Sequence, residues 1–157
     1  MTQEEVRTWL LTMAEEGYQK FSSSLIPGAD HILGIRLPVL RKMAKQLAGE
    51  DWKGCMAWKD TVYFEEVMLQ AMTLGYAKAE IGELLEEFAA FIPKVDNWSV
   101  NDTLCMSFKA AKKEQEAVWD FLMKYRDSRE IYEVRVVAVM LLSHFLNETY
   151  IDRVLSV

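Results

Sequence analysis

The sequence predicts an all-α protein in which HEAT-like helical hairpin repeats stack into an α-α superhelix, or solenoid. Glycine (7) and proline (3) are scarce among its 157 residues, and alternating polar and apolar runs that would predict strands are missing. Apolar residues instead recur every three or four positions, the spacing of one helix face. The chain also repeats with a period of 34 to 35 residues.

Caps and breakers predict where the first helices begin and end. Thr2 and Glu5 form a capping-box pattern at the start of the first helix. Pro27-Gly28 stops the second helix, Pro38 lies in the first turn of the next, and Asp51 is expected to cap a short helix. After the first, the predicted helices cover residues 18–25, 38–49, 52–58, 63–77, 81–91, 98–112, 115–125, 131–146 and 150–155.

The repeat is marked by an aromatic residue at the start of three helices. Tyr63, Trp98 and Tyr132 are 35 and 34 residues apart, and one further amphipathic helix lies between each pair. Such a period is typical of stacked helix pairs, and the absence of a tetratricopeptide consensus favours the HEAT-like type. We expect the helices starting at these three residues to line the concave surface and to carry any chemistry.

Length and composition predict one HEAT-like repeat domain over residues 1–157, with enough apolar material, 51%, for a core. A net charge of −6 argues against a nucleic-acid binder that works by bulk charge. Cys55 and Cys105 show no disulfide or zinc pattern, which suits a reduced compartment. The N-terminus does not resemble a signal peptide and the apolar runs are too short to cross a bilayer, so we expect a cytoplasmic protein without membrane contact.

Most common catalytic arrangements are absent from the sequence. It contains no GxSxG elbow, dinucleotide-binding glycine motif or P-loop, and no cluster of metal ligands, so no metal or organic cofactor is expected. Of the two histidines, His31 and His144, the second lies in an apolar stretch and is more simply a packed or capping residue than a catalytic one. The acidic pairs 65–66 and 86–87 are expected to lie on solvated helix faces.

One constellation stands out. Trp98 and Asp102 are four residues apart, so a helix projects them from one face. The alternative is that Trp98 is a core anchor and Asp102 a first-turn acid favoured by the helix dipole. Arg135, between two valines, is costly to bury unpaired, so it either meets a carboxylate of the neighbouring repeat or opens to the groove.

Four segments together carry a family resemblance: LIPG with GIRLPVLRKMAKQLA, then YFEEVMLQAM, FIPKVDNWSVNDTLC and YEVRVVAVMLLSHFL. In this order and spacing they resemble the DNA alkylation repair family, the HEAT-like-repeat alkylpurine DNA glycosylases, from about residue 18 to 155. The resemblance implies a solenoid that holds duplex DNA on a basic concave face and releases cationic N3- or N7-alkylated purines. It also implies that the family's functional aromatic, Asp and Arg correspond to Trp98, Asp102 and Arg135.

This trio suits such chemistry. An N3- or N7-alkylated purine already carries positive charge and leaves without protonation, so the group to be stabilised is the sugar, which becomes positively charged. We expect the carboxylate of Asp102 to stabilise that charge and to position a water, and the face of Trp98 to add a cation–π contribution. Arg135 is expected to grip a backbone phosphate.

The net charge of individual segments is compatible with DNA binding, although the total charge is negative. Residues 31–60 carry a net +3 and residues 98–113 a net +2, whereas residues 61–97 carry −5. We expect phosphate contacts from the basic segments, although ordinary solvated helix faces would show the same pattern. The candidate DNA-binding residues are Arg36, Arg41, Lys42, Lys45, Lys109, Lys112 and Lys113.

Two further expectations concern the end of the chain and the alternative function. Glycosylases of the family run longer, so we expect further C-terminal repeats beyond Val157, or self-association through an exposed terminal repeat. Together with the negative net charge, this keeps open a second hypothesis, a non-catalytic HEAT-like scaffold that binds DNA or protein.

Overall fold

The computed structural model describes all residues 1–157 and contains helices but no strands, so the predicted all-α class is confirmed. A short 3₁₀ turn, Ile92–Lys94, follows the fifth helix. In chain order the helices are α1 (Gln3–Met13), α2 (Glu16–Leu25), α3 (Leu37–Met56), α4 (Phe64–Tyr76), α5 (Ile81–Phe91), α6 (Trp98–Ser107), α7 (Ala110–Lys113), α8 (Gln115–Met123), α9 (Ile131–His144) and α10 (Ile151–Leu155).

Both predicted caps are present. The Glu5 N–H donates to the hydroxyl of Thr2 at 3.2 Å, and the Thr2 N–H donates to the Glu5 carboxylate at 2.7 Å. Asp51 departs from helical geometry (φ −161°, ψ 77°) inside α3, and its carboxylate accepts the Gly54 N–H at 3.0 Å. Asp51 therefore caps the last turns of α3 as predicted, at a kink in the helix.

The single helix predicted over residues 98–112 is wrong. Helix α6 ends at Ser107, and α7 starts only at Ala110. Between them Phe108 leaves helical geometry (ψ 74°) and is fully buried, with its ring perpendicular to that of Phe88 at a centroid distance of 5.0 Å. Burying this ring in an edge-to-face contact outweighs continuing the helix.

The helices that begin at the repeat positions are direct neighbours. Helix α4 packs between α3 and α6, and α6 packs between α4 and α9. Helices α5 and α8 contact each other, and they contact α4 and α9 respectively. The row α3, α4, α6, α9 thus brings together the helices expected to carry the chemistry, whereas the superhelix itself stays a prediction.

The expectation that residues 65 and 66 lie on a solvated face is wrong. Glu65 is buried, and its carboxylate accepts the backbone N–H groups of Leu33 at 3.0 Å and Gly34 at 3.0 Å. Burial raises the pKa of Glu65, and these N–H donors oppose that rise. The side chain thereby holds the loop between α2 and α3 against α4.

Glu66 is also fully buried and joins the N-terminus of the chain to α4. It accepts the backbone N–H of Val62 and that of Tyr63, at 2.8 and 2.9 Å, and pairs with the Arg7 guanidinium at 2.9 Å. Burial acts to raise the pKa of Glu66, but the Tyr63 N–H and Arg7 outweigh it and lower the pKa. A sequence shows two adjacent acids but not the groups that bind them in the folded protein, so the pattern assigns both side chains to the solvent.

His144 is a packed residue, as expected. It is buried at the end of α9, and its Nε2 lies 2.7 Å from the carbonyl oxygen of Cys105, to which it donates because a carbonyl only accepts. Burial lowers the pKa of the imidazole. Both cysteines are buried free thiols, and burial raises the pKa of Cys55 to about 12.

At the C-terminal end of the row, α9 and α10 expose apolar side chains. A groove there is lined mainly by apolar residues: Val134, Val137, Ala138, Leu141, Leu142, Val154 and Val157. Self-association through this end of the row stays a prediction. None of the helices combines the length and apolar composition that crossing a lipid bilayer requires.

Candidate active site

The candidate site is built on the first half of α6. Asn97 caps this helix, since its side-chain oxygen accepts the Val100 N–H at 2.9 Å. Trp98 is therefore the first helical residue, and Asp102 follows one turn later on the same side. The local sequence thus sets the spacing of the aromatic and the carboxylate.

Arg135 of α9 meets Asp102 through two parallel hydrogen bonds. Its Nε donates to one carboxylate oxygen at 2.8 Å and its Nη2 donates to the other at 2.8 Å. The side chain of Asp102 is 22% exposed and that of Arg135 is 42% exposed. This bidentate geometry fixes the direction of the carboxylate at the surface of the helix row.

The pair keeps Asp102 ionised. The Arg135 guanidinium is the main reason why the pKa of Asp102 lies below its ordinary value, while partial burial works in the opposite direction. Asp102 in turn raises the pKa of Arg135. The site therefore presents a carboxylate at neutral pH.

Asn101 is a second residue whose side chain donates a hydrogen bond to Asp102. This residue is fully buried, and its side-chain amide donates to an Asp102 oxygen at 3.2 Å, which also helps to lower the pKa of Asp102. The other end of the Asn101 amide, Oδ1, is buried without a partner. Asn101 thus lies beneath the carboxylate and limits its movement.

Trp98 stands at the surface and is tied to a distant part of the chain. Its side chain is 41% exposed, and its indole N–H donates to the backbone carbonyl of Leu25 at 3.2 Å. Leu25 is the last residue of α2, where carbonyl groups lack partners within the helix. This bond brings the end of α2 to the edge of the site.

The structure decides between the interpretations left open by the sequence. Trp98 is too exposed to be a core anchor, and Asp102 is the fifth residue of α6, beyond its first turn, so that alternative is wrong. Arg135 meets a carboxylate of the neighbouring helix α6 and remains partly exposed. Its Nη1 makes no hydrogen bond within the protein and is free to donate to a ligand.

The basic residues at the start of α3 and within it differ in how many of their donors are already bound. Arg36 pairs with Glu15 at 3.1 Å, and Arg41 donates to the Tyr76 hydroxyl at 3.0 Å. The Lys45 ammonium lies 5.4 Å from the centre of the Tyr76 ring. Lys42 is exposed and makes no side-chain hydrogen bond or ion pair.

The three lysines after α6 are separate from the trio. Lys109, Lys112 and Lys113 are exposed and follow the C-terminal end of α6, about 15 Å along the helix from Trp98 at the usual rise per residue. Lys109 and Lys113 line a cavity of about 540 Å³ together with Lys78. The structure therefore brings together Asp102 and Arg135 beside Trp98, and gathers lysines at the other end of α6.

A smaller cavity adjoins the start of α6. It measures about 240 Å³ and includes Asn97, the neighbour of Trp98, and His31, whose backbone has the positive φ of 56° that is unusual outside glycine. The His31 carbonyl accepts the N–H of Phe64 at 3.2 Å. His31 therefore shapes the loop that leads from α2 to α3.

The family profile described as DNA alkylation repair enzyme matches residues 6–157, nearly the whole chain. The chain belongs to the DNA alkylation repair enzyme family. No curated protein and no solved structure is significantly similar to it. Membership of this family gives the chain an enzyme role in alkylation repair, with DNA as its substrate.

Sequence reasoning missed three features of the site. Asn101 was hidden within the motif that contains Asp102, Leu25 acts through its backbone, and Lys78 lies in the most acidic segment of the chain. Of the three, only Asn101 offered a signal in the sequence, since it is an amide directly before the candidate acid. No group of three or more His, Cys, Asp or Glu side chains is arranged to hold a metal ion.

Proposed function

We propose that this member of the DNA alkylation repair enzyme family is a DNA glycosylase that releases cationic N3- or N7-alkylated purines from duplex DNA. The observation that supports this most is the bidentate Asp102–Arg135 pair beside the exposed Trp98. It offers an ionised carboxylate, an aromatic face and a free guanidinium N–H at one surface.

The chemistry needs no acid. When the bond between the sugar C1′ and the purine breaks, its electron pair neutralises the cationic base, and positive charge develops on the sugar. The carboxylate of Asp102 stabilises that charge, and a water adds to C1′ and loses its proton to solvent. Trp98 contributes through the negative face of its ring.

Arg135 has two tasks in this proposal. Its Nε and Nη2 hold the carboxylate of Asp102 in one orientation, and its free Nη1 donates to a phosphate oxygen of the lesion strand. One guanidinium thus links the position of the DNA backbone to the position of the catalytic carboxylate. The sequence predicts only the phosphate contact of Arg135, and the orientation of Asp102 is the additional task.

We further propose that the row of helices forms a HEAT-like solenoid and that duplex DNA binds along its surface. The exposed lysines Lys42, Lys109, Lys112 and Lys113 are the freest phosphate contacts, whereas Arg36 would first have to leave Glu15. We propose Arg41 and Lys45 as further phosphate contacts. Both lie beside Tyr76, whose hydroxyl accepts from Arg41 and whose ring lies 5.4 Å from the Lys45 ammonium.

The test is base release from a duplex with a single 7-methylguanine, measured with enzyme in excess over DNA. We expect release by the wild type and its loss in Asp102→Asn, which keeps the shape of the side chain and removes its charge. Asp120→Asn, an exposed acid on α8, is the matched control and should behave as the wild type. Absence of release by the wild type, or equal release by Asp102→Asn, would contradict the proposal.

The alternative of a non-catalytic scaffold has one observation in its favour. The Asp102–Arg135 pair joins α6 to α9, as a structural ion pair between repeats would. In that case Asp102→Asn should lower the free energy of unfolding and leave DNA binding unchanged, with no base release by any variant.

A further inference from the structure

Helix α2 turns its apolar side outwards. Its only buried residue is Ser22, whereas Phe21 is 57% exposed and Leu25 is 50% exposed. Phe21 and Leu25 are four positions apart and so lie on one face of the helix. A large apolar pair on the surface while a serine points inwards is the reverse of a helix packed for stability, and it indicates a contact surface.

The end of the helix that carries this apolar pair lies beside the candidate site. The indole N–H of Trp98 donates to the Leu25 carbonyl at 3.2 Å, so the last turn of α2 lies against the first turn of α6. Trp98 itself is exposed, and Asp102 lies one turn further along α6. We name the three exposed side chains of Phe21, Leu25 and Trp98 the α2 stripe; the bond to the Leu25 carbonyl places the end of α2 beside Trp98, one helical turn from Asp102.

The charges around the α2 stripe decide what it can contact. Lys20 pairs with Glu16 at 3.4 Å, and Arg36 pairs with Glu15 at 3.1 Å, so the positive charges on and next to α2 are paired with acids. The side chains of Phe21 and Leu25 themselves have no donor for a phosphate. They offer an aromatic ring and aliphatic carbon, which pack against deoxyribose and against the faces of bases.

We infer that Phe21 and Leu25 contact the DNA at the lesion, packing on the sugars and bases next to the nucleotide that faces Asp102. This inference rests on the proposed function. Apolar side chains inserted between or against base steps unstack them locally, and an N-alkylated nucleotide would thereby become more accessible to Asp102. The phosphate contact of Arg135 and the apolar contact of α2 would hold the nucleotide from two sides.

The test compares Phe21→Ser/Leu25→Ser with the wild type by fluorescence anisotropy on a duplex containing 7-methylguanine, at several salt concentrations. We expect affinity to fall about tenfold, the size of losing one to two stacking or packing contacts. The salt dependence should keep its slope, because no charged contact is removed. Leu11→Ser on α1, where Leu11 is 51% exposed, is the matched control and should bind as the wild type.

Thermal unfolding of the double variant should match that of the wild type, since both side chains are at the surface. If it does not, the single variants Phe21→Leu and Leu25→Ala, which keep an apolar character, replace it and should each weaken binding about threefold. Unchanged affinity would overturn the inference, and so would a dimer of the wild type that the double variant abolishes while DNA binding is kept.

The binding measurement also separates the inference from the proposed glycosylase. If the wild type binds DNA but releases no base, and the double variant loses affinity, the α2 contact stands and the glycosylase does not. If the wild type releases base and the double variant binds and releases equally well, only the inference about α2 falls.

Discussion

Asp102 and Arg135 are 33 residues apart in the chain, yet their side chains are joined by two hydrogen bonds of 2.8 Å each. The pair connects two neighbouring helices of the row, α6 and α9. It makes the orientation and the charge of the carboxylate depend on a residue of the next helix in the row. Any change in how these helices pack would therefore reach the candidate site directly.

Replacing Arg135 by Lys should move the pH dependence of base release. A lysine cannot make two parallel bonds to the carboxylate, so the pKa of Asp102, which Arg135 lowers, should return towards its ordinary value. Since the proposed reaction needs the ionised carboxylate, the acidic limb of the pH profile should move to higher pH. The rate at neutral pH should fall roughly 10- to 100-fold through loss of orientation.

Arg153→Lys is the control for that experiment, because Arg153 forms a comparable pair with Glu116 at 2.6 Å on a different part of the protein. It should leave the profile unchanged. An acidic limb that does not move in Arg135→Lys would show that Arg135 does not set the ionisation of Asp102.

Glu66→Gln should destabilise the protein by about 2 kcal/mol at neutral pH, because it leaves the Arg7 guanidinium without its buried carboxylate. The pKa of Glu66 is lowered in the folded state, so its contribution is complete above the ordinary carboxyl pKa and is lost as the pH falls through the lower folded value. Urea unfolding should therefore show a difference from wild type that shrinks in acid.

Glu86→Gln, at an exposed position on α5, is the matched control and should change the free energy of unfolding by less than about 0.5 kcal/mol. If both variants unfold alike at neutral pH, the interpretation of Glu66 as a buried anchor is contradicted.

Gly75→Ala should separate α4 from α6. An added Cβ at Gly75 would lie 2.5 Å from the Cβ of Ser107 and 2.7 Å from its backbone, so the two helices must move apart. We expect a loss of about 2 kcal/mol or more in the free energy of unfolding. Gly49→Ala in α3, where no atom lies within 4 Å, should instead stabilise by about 0.5 to 1 kcal/mol. Equal effects of the two substitutions in urea unfolding would contradict the close approach.

Much of the fold could be predicted from local patterns. Caps such as Thr2 and Asp51 form bonds with residues three positions away, and helix periodicity is a property of neighbouring residues. The same holds for Trp98 and Asp102, whose common face follows from their spacing on α6. These features depend on little beyond the backbone geometry of one helix.

Features that depend on distant partners could not be predicted. The break after Ser107 occurs because Phe108 packs against Phe88. Glu65 is buried where distant backbone N–H groups, those of Leu33 and Gly34, donate to its carboxylate, and Glu66 is buried where it pairs with the distant Arg7. Hydrophobicity patterns assign the acids to the surface, since the pattern carries no information about such donors.

The sequence by itself determined the helical class, the order of the helices, the family and the one-turn spacing between the aromatic and the carboxylate. Only the tertiary structure decided that Arg135 orients Asp102 while keeping one free N–H group, and that the end of α2 lies against Trp98 with its apolar side exposed. The reason is physical. These bonds join residues 33 and 73 positions apart, so their geometry depends on how whole helices pack rather than on the preferences of any single segment.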